Sequence, residues 1–337
     1  MSAMPSPVRA DDQTLRDRWP SGRVTPTGLR GYLAILGKVT VTCACLWWVS
    51  RLVDARELRT ILTTVSVPWL GLSFVFFLMF AVLGGLRWWV VLRAIGQPAR
   101  LGTLVSTFWT GMVLNQILPS PAGDTMRVWL AVRSGCRLLA AVNSIVLDRV
   151  FMLAALLVIM MATQPLLAGF VPMAPPIWFS TLLTAGCFGG IGVLAFADRF
   201  SRLVRWKPLG WIRLLSSDTR RIVASGWVVP MAVLCVFGNL NFIVAGGLLG
   251  AALGLHLDGA AYLAVIPLVV VVTIIPISIA GWGLREGLLV SMLSQAGVQP
   301  NVALAFSLMF GLLSAACTLP GLVLWWLRSD RPTAMPS

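Results

Sequence analysis

The sequence is poor in the residues from which soluble enzymes build their sites. It has one histidine, His256, and only 11% of its 337 residues are charged, where a soluble domain carries about 25%. Its six cysteines are scattered through apolar stretches, so we expect buried, unreactive thiols. No phosphate-binding Gly-x-x-x-x-Gly-Lys loop and no Gly-x-Ser-x-Gly elbow occurs. These shortages exclude a soluble globular domain, and they predict a protein without enzymatic activity, metal or cofactor.

Hydrophobic residues are what the sequence has in excess. They make up 58% of the chain, and the mean hydropathy is +0.87. A bilayer span needs about 20 apolar residues, so the composition predicts a polytopic membrane protein. The stretches predicted to span the membrane are 33–50, 69–92, 142–166, 177–197, 227–253 and 302–327.

Two further apolar stretches, 101–118 and 262–275, run into turns that are rich in proline and glycine. The helix-breaking residues are Pro119, Gly123, Pro276, Gly281 and Gly283. Interrupted helices occur in a membrane where the backbone lines a cavity or is buried in protein. We therefore predict two broken helical hairpins, at 101–137 and 257–301.

Basic residues predict the orientation, because cytoplasmic loops of membrane proteins are enriched in Lys and Arg. Segment 198–225 is rich in arginine and is predicted to be cytoplasmic, whereas the connection 168–176 has no Lys or Arg and is predicted to lie outside. By this rule both ends of hairpin 101–137 lie inside, both ends of hairpin 257–301 lie outside, and both hairpins are re-entrant. The alternative is eight full spans, with both broken segments crossing.

The predicted architecture is an all-α polytopic integral membrane protein with six full spans and two re-entrant hairpins, built as an inverted repeat. Both broken segments read Ile-(Leu/Ile)-Pro, then small residues, then Gly-x-x-x-Arg. Inverted-repeat transporters carry interrupted helices in corresponding places of their halves. Chance recurrence is the alternative in a chain with 31 Gly and 20 Pro. The predicted parts are a cytoplasmic tail 1–32, repeat one 33–175, repeat two 176–327 and a cytoplasmic tail 328–337.

Six ionisable residues at membrane depth form the candidate site. They are Asp124, Arg127, Asp148, Arg149, Arg285 and Glu286. Each costs at least about 2.5 kcal/mol in a bilayer, so it is expected to be paired or hydrated. Asp124 and Arg127 share a helix face, and the other four need partners elsewhere, so we expect the two hairpin tips to meet and cross-pair. Arg87 is expected to snorkel to the interface.

Half-helices that follow Gly123 and Gly281 would point positive dipole ends into a polar cavity, which favours an anionic headgroup. The predicted headgroup ligands are Arg127, Arg285, Arg149 and Asn115. The predicted charge-pairing or coupling residues are Asp124, Asp148 and Glu286. The alternative is that the charges only lock the hairpins together.

Four segments together resemble the signature of the lysylphosphatidylglycerol synthase transmembrane-region, or flippase-like, family. They are 115–119 (Asn-Gln-Ile-Leu-Pro), 123–127 (Gly-Asp-Thr-Met-Arg), 148–149 (Asp-Arg) and 276–286, which ends in Gly-Trp-Gly-Leu-Arg-Glu. The resemblance extends over roughly 33–327. It implies a bacterial inner-membrane protein, and it implies the six charged residues as candidate positions for lipid translocation. The distribution of Lys and Arg, in contrast, is what predicts that both termini lie in the cytoplasm.

The resemblance implies a flippase or transporter that moves an anionic phospholipid, a polyprenyl lipid or a hopanoid-type lipid. The family's synthase activity belongs to a cytosolic aminoacyl-transferase domain, which we do not expect here because the sequence ends ten residues after Leu327. One alternative is a non-catalytic membrane partner that presents lipid to a separate lipid-modifying or glycosyl-transferring enzyme, docked on 198–225. Another is an intramembrane transferase with Asp124 or Glu286 as base. Nucleic acid is not an expected partner.

Overall fold

The structure is a computed structural model that describes residues 63–117, 122–171, 175–201, 209–274 and 283–329. Within these ranges the chain is helical and has no strand, which confirms the predicted all-α fold. The helices are α1 (Val67–Ala94), α2 (Leu101–Ile117), α3 (Ala122–Arg133), α4 (Leu138–Phe170), α5 (Ile177–Ser201), α6 (Leu209–Val223), α7 (Val228–Ala252), α8 (Gly259–Thr273), α9 (Leu284–Gln295), α10 (Pro300–Ala316) and α11 (Pro320–Ser329).

Five segments of the described chain are long and apolar enough to cross a membrane. They are Val67–Ala94, Leu138–Phe170, Ile177–Ala197, Val228–Ala252 and Pro300–Trp326. Each coincides with a predicted span, and the sixth prediction, 33–50, lies outside the described residues. Large apolar side chains point outward along these helices; on α5, for example, Leu182 is 63% exposed and Val193 is 66% exposed. Such a surface fits lipid and not water.

The two broken segments are pairs of short helices, as the sequence predicts. The arms α2 and α3 have 17 and 12 residues, and the arms α8 and α9 have 15 and 12. At 1.5 Å per residue these arms measure about 18–25 Å, less than the hydrocarbon core of about 30 Å. Each arm, over its described residues, is therefore shorter than the hydrocarbon core, and the re-entrant path of the hairpins stays a prediction. The predicted breaking residues Pro119, Pro276 and Gly281 lie outside the described residues.

Glycine lets the arms of the first hairpin touch backbone to backbone. A Cβ on Gly123 would lie 2.1 Å from the carbonyl oxygen of Gly111, and a Cβ on Gly111 would lie 2.5 Å from Cγ of Arg127. The Gly123 amide donates to Oδ1 of Asn115 at 3.0 Å. These contacts show that α3 runs back along α2, so that Arg127 lies over the middle of α2.

The second hairpin satisfies its backbone in a different way. Gly283, just before α9, has a φ of +85°, which only glycine adopts without strain. Its amide donates to the carboxylate of Glu286, three residues later, at 2.5 Å. The side chain of Glu286 is fully buried, so this acidic group holds the start of α9 in place.

Helices α1 and α7 form the central contact of the bundle. Hydroxyl Oγ of Ser73 donates to the Ala245 carbonyl at 2.7 Å, and the amide of Asn241 donates to the Phe76 carbonyl at 2.9 Å. Beside them, Phe77 meets Phe310 edge to face at 5.2 Å between ring centroids. Spans α4 and α10 contact this pair directly, and so do the first arms of the two hairpins, α2 and α8. Beyond them, α5 packs against α4, α8 also packs against α4, and α2 also packs against α11.

Helix α6 lies in the segment predicted to be a basic cytoplasmic loop, and it packs against α4 and α5. Its apolar face buries Leu215 and Ile222. A polar chain fixes the contact with α4: Trp211 Nε1 donates to Oδ1 of Asn143, and the Asn143 amide donates to Oδ2 of Asp218, both at 2.8 Å. The arginine-rich segment is thus helical over 209–223, with one face packed on the bundle.

Substituting Gly123 by alanine is expected to destabilise the hairpin. The added Cβ would overlap the backbone of Gly111, so α2 and α3 would have to separate, at a cost of about 1–3 kcal/mol. Gly102→Ala on α2, the other arm of this hairpin, is the matched control, because nothing lies within 4 Å of its Cβ. Thermal unfolding midpoints in detergent measure both variants, and equal midpoints would contradict the close packing.

Asp218 is expected to make stability depend on pH. Burial raises the pKa of Asp218, and the hydrogen bond from Asn143 offsets only part of this rise. The pKa of Asp218 in the folded state thus lies above its unfolded value of about 3.9. The contribution of Asp218 to the free energy of unfolding is therefore fully present below the unfolded pKa, and it is lost as the pH rises through the folded pKa. Asp218→Asn keeps an acceptor for Asn143 and removes this loss.

The measurement is the unfolding midpoint of both proteins in detergent from about pH 4 to about pH 7, above the ordinary range of the carboxyl. We expect the midpoint of Asp218→Asn to exceed that of wild type increasingly as pH rises. Asp258→Asn is the control, because Asp258 is an exposed residue at the start of α8. Parallel pH profiles for wild type and Asp218→Asn would refute the interpretation.

Candidate functional site

The centre of the site is an ion pair between two membrane-spanning helices. Arg87 of α1 donates through Nε to Oδ1 of Asp148 of α4 at 2.6 Å, and through NH2 to Oδ2 at 3.1 Å. The side chains are 6% and 2% exposed. This two-pronged geometry is the strongest that an arginine makes with a carboxylate. The prediction that Arg87 snorkels to the interface is wrong, because its partner lies inside the bundle.

Arg127 of α3 enters the same cluster from the hairpin. Its guanidinium carbon lies 4.5 Å from the ring centroids of both Trp88 and Phe108. Its NH1 donates to Oδ1 of Asp124 at 3.3 Å, and its NH2 lies 3.6 Å from Oδ2 of Asp148. Two aromatic faces and two carboxylates therefore hold the side chain, which is 5% exposed.

Asp124 connects this buried arginine to an exposed one. Its Oδ2 accepts hydrogen bonds from Nε of Arg149 at 3.0 Å and from NH2 at 2.5 Å. The side chain of Arg149 is 56% exposed, whereas that of Asp124 is 14% exposed. The cluster thus runs from the surface to the interior in the order Arg149, Asp124, Arg127.

The charges of this cluster do not balance. Its ion pairs join three guanidinium groups, of Arg87, Arg127 and Arg149, to two carboxylates, of Asp124 and Asp148, which leaves one positive charge in excess. The excess coincides with unsatisfied donors. Within the described residues, Nε and NH2 of Arg127 are buried without a hydrogen-bond partner, and NH2 has only the longer contact of 3.6 Å with Asp148. Buried unsatisfied donors are rare in proteins, and donors of an arginine are suited to an anionic acceptor.

Arg285 and Glu286 form an ion pair with each other, and the described ion pairs do not connect them to this cluster. Arg285 donates to Oε1 of Glu286, from Nε at 3.0 Å and from NH2 at 2.5 Å. The sequence predicts that adjacent residues need partners elsewhere and that the two hairpins cross-pair. In the structure the long Arg285 side chain folds back onto its neighbour, so these two residues do pair with each other, and the cross-pairing of the two hairpins stays a prediction.

A cavity of about 180 Å³ lies between the two groups of charges. Arg285 lines one side of it, and Met152 and Asn239 line another. Met152 Sδ accepts from NH1 of Arg87 at 2.8 Å, and the Asn239 amide donates to the Met152 carbonyl at 3.4 Å. The other lining side chains are mostly apolar, among them Phe242. The cavity therefore borders the cluster but offers an apolar volume.

The predicted site residues fall into three sets. Asp124, Arg127, Asp148 and Arg149 come together as a cluster. Asn115 and Gly123 form the adjoining hairpin contact, so the amide oxygen of Asn115 is engaged with backbone. Arg285, Glu286 and Gly283 form the third set, at the start of α9.

Sequence reasoning missed Arg87, Trp88, Phe108 and Met152. A signal for Arg87 was available, since an arginine seven residues before the end of an apolar helix is expensive unless it is paired. The aromatic partners carried no comparable signal, because their role depends on how α2 and α3 pack on α1. Across the described ranges, no three His, Cys, Asp or Glu side chains come together as ligands for a metal.

The fold and the cluster define a polytopic helical membrane protein with a buried ionic site between a broken hairpin and two spans. The chain belongs to the family described as the lysylphosphatidylglycerol synthase TM region, whose model matches residues 35–321. The resemblance in the signature segments is thereby confirmed. No curated protein matches the sequence.

Removing Arg87 is expected to destabilise the bundle strongly. Arg87→Met leaves the buried Asp148 with only the longer contact to Arg127, and breaking a buried ion pair costs about 3–5 kcal/mol. Arg93→Met on the same helix is the control, because Arg93 is exposed and stacks loosely on Trp89.

The unfolding midpoint in detergent measures both substitutions. The loss for Arg93→Met should stay below about 1 kcal/mol. The double variant Arg87→Met/Asp148→Leu should recover part of the stability lost by Arg87→Met, because no uncompensated carboxylate remains at that position. Equal effects of Arg87→Met and Arg93→Met would contradict the structural role of the pair.

Proposed function

We propose that this protein moves a lipid with an anionic headgroup across the membrane, and that the headgroup binds at the cluster of Arg127 and Arg149. The observation that carries this proposal is the excess positive charge of the cluster, together with the two donors of Arg127 that make no hydrogen bond within the described residues. If these charges served only to hold the hairpin against the spans, we would expect as many carboxylates as guanidinium groups and a hydrogen-bond acceptor for each buried donor. A phosphate group offers both the missing charge and the missing acceptors.

The order of the arginines suits a headgroup that enters from the surface. Arg149 is mostly exposed and would make the first contact, whereas Arg127 lies deeper between two aromatic rings. The headgroup would pass from one to the other while the acyl or polyprenyl chains stay in the bilayer. The apolar cavity beside Met152 would accept only a small part of such a chain.

The arrangement of helices supports an inverted repeat and an alternating-access cycle. Each half has a span, a broken pair and a second span: α1, α2–α3, α4 and then α7, α8–α9, α10. The first arm of each pair packs against the end of the other half, with α8 on α4 and α2 on α11. Trp109 of α2 donates to the Cys317 carbonyl after α10 at 2.7 Å. Rocking of one half against the other would expose the site to each side in turn.

The location proposed for this activity is the bacterial inner membrane, with both termini in the cytoplasm. The basic segment that contains α6 supports this orientation, because Lys and Arg are enriched in cytoplasmic loops. The proposed lipids are anionic phospholipids or polyprenyl-type and hopanoid-type lipids. We propose no enzymatic step for the membrane region itself.

Transport is tested with the full chain in proteoliposomes that contain fluorescent phosphatidylglycerol. A membrane-impermeant quencher reports how fast labelled lipid moves between leaflets. Arg127→Gln should slow this movement at least about tenfold, since a hydrogen bond to a charged group contributes about 1.5–3 kcal/mol. In this variant Asp124 still pairs with Arg149, and Asp148 still pairs with Arg87, so we expect the protein to fold.

The matched control is Arg100→Gln, because Arg100 is an exposed arginine outside the cluster. It should transport like wild type, and fluorescent phosphatidylcholine should move no faster than in empty liposomes. Wild-type speed in a folded Arg127→Gln protein would refute the assigned site. Folded wild-type protein without transport would instead favour a partner that presents lipid to a separate enzyme, docked on the basic α6 with its exposed Arg221.

A further inference from the structure

Asp124 occupies an unusual position between the two arginines that face the proposed headgroup. One of its carboxylate oxygens binds NH1 of Arg127 at 3.3 Å, and the other binds Nε and NH2 of Arg149 at 3.0 and 2.5 Å. A phosphate oxyanion presents its oxygens to guanidinium groups in the same manner. The carboxylate therefore has the contacts that a phosphate in this place would have.

We infer that Asp124 is a built-in competitor that fills the anion site when no ligand is bound, and that a phosphate oxyanion binds by displacing it. The inference rests on the proposed function, because it specifies how the same site is kept closed. It assigns to Asp124 a role opposite to that of a ligand, since its charge opposes the binding of the anion.

Access to Arg127 passes Asp124. The exposed fraction falls from 56% at Arg149 to 14% at Asp124 and 5% at Arg127. When the carboxylate moves aside, NH1 of Arg127 becomes available beside Nε and NH2, which make no hydrogen bond within the described part of the chain. The phosphate would thus gain the contacts that Asp124 gives up and, in addition, donors that Asp124 leaves unsatisfied.

Arg127 keeps its place without Asp124. The rings of Trp88 and Phe108 hold its guanidinium from two sides, and Asp148 lies 3.6 Å from its NH2. Asp148 itself is not the displaceable group, because Arg87 clamps both of its oxygens and its side chain is 2% exposed. Of the two carboxylates in the cluster, only Asp124 is positioned to exchange with a ligand.

Charge gives the inference a distinctive consequence. With Asp124 ionised the cluster carries one excess positive charge, and with an asparagine there it carries two. The carboxylate of Asp124 repels an incoming anion and occupies the guanidinium donors that the anion would use. Removing this carboxylate should therefore strengthen anion binding. A residue that only supports the structure, or that couples transport, would weaken binding or leave it unchanged when it is substituted.

The experiment measures binding by calorimetry of purified full-length protein in detergent. The probes are monomeric dihexanoyl phosphatidylglycerol, inorganic phosphate and dihexanoyl phosphatidylcholine. Asp124→Asn should bind dihexanoyl phosphatidylglycerol about tenfold more tightly than wild type, or better, which corresponds to about 1.4 kcal/mol. Asp258→Asn is the matched control, because it removes the same charge from an exposed helix cap and keeps a good capping residue.

The outcomes separate this inference from the proposed function. Tighter binding by Asp124→Asn but not by Asp258→Asn supports the inference that Asp124 competes with the ligand. The probe whose affinity increases most shows whether the bound anion is a lipid headgroup or free phosphate. If Asp124→Asn binds the probes as tightly as wild type or more weakly, Asp124 is not a competitor. In that case the proposed site is still supported if wild type binds a probe and Arg127→Gln does not. Absence of binding to every probe, in wild type and in Asp124→Asn, overturns both.

Folding is controlled by the unfolding midpoint of each variant. If Asp124→Asn proves unstable, Asp124→Ser replaces it, because serine also removes the charge and is favoured near the start of a helix such as α3. The expected gain in affinity is the same for both variants. A gain in neither would overturn the inference.

Discussion

A charged arginine inside an apolar bundle needs a carboxylate within reach, and the arrangement around Arg87 follows from that need. Asp148 meets it with both oxygens and thereby links α1 to α4 across the bundle. The same carboxylate lies near Arg127, so the first hairpin is held against these spans by charge as well as by packing. Since breaking such a pair leaves an ion stranded at low dielectric, this part of the bundle tolerates little rearrangement.

Close backbone packing brings the hairpin charges to this pair. Arg127 reaches between Trp88 and Phe108 only because Gly111 and Gly123 let α2 and α3 approach each other. The second hairpin uses its acidic residue differently, since Glu286 stabilises the turn at Gly283 and also pairs with Arg285. Although the two hairpins share a sequence pattern, their charges therefore have different local roles: the first set faces a neighbouring ionic network, and the second stabilises its own helix start.

The excess charge around Arg127 ties the structure to the proposed function. A set of ion pairs that served stability alone would be selected for complete satisfaction, because a buried donor without a partner costs about 1–3 kcal/mol. Among the described residues, two donors of Arg127 make no hydrogen bond, next to a carboxylate that contacts an exposed arginine. If this carboxylate exchanges with a ligand, as we infer, the site could bind a headgroup and then release it.

The sequence by itself determined the membrane class, the all-α fold, five of the spans within a few residues, the two broken segments and the family. These follow from long apolar runs, from Pro and Gly, and from short motifs, all of which are local. It also identified Asp124, Arg127, Asp148 and Arg149, since ionisable residues are conspicuous among apolar ones. Only the tertiary structure decided which charges pair. Arg87 and Asp148 are 61 residues apart, and their contact depends on how α1 and α4 pack, whereas Arg285 and Glu286 pair as neighbours because a long side chain can fold back.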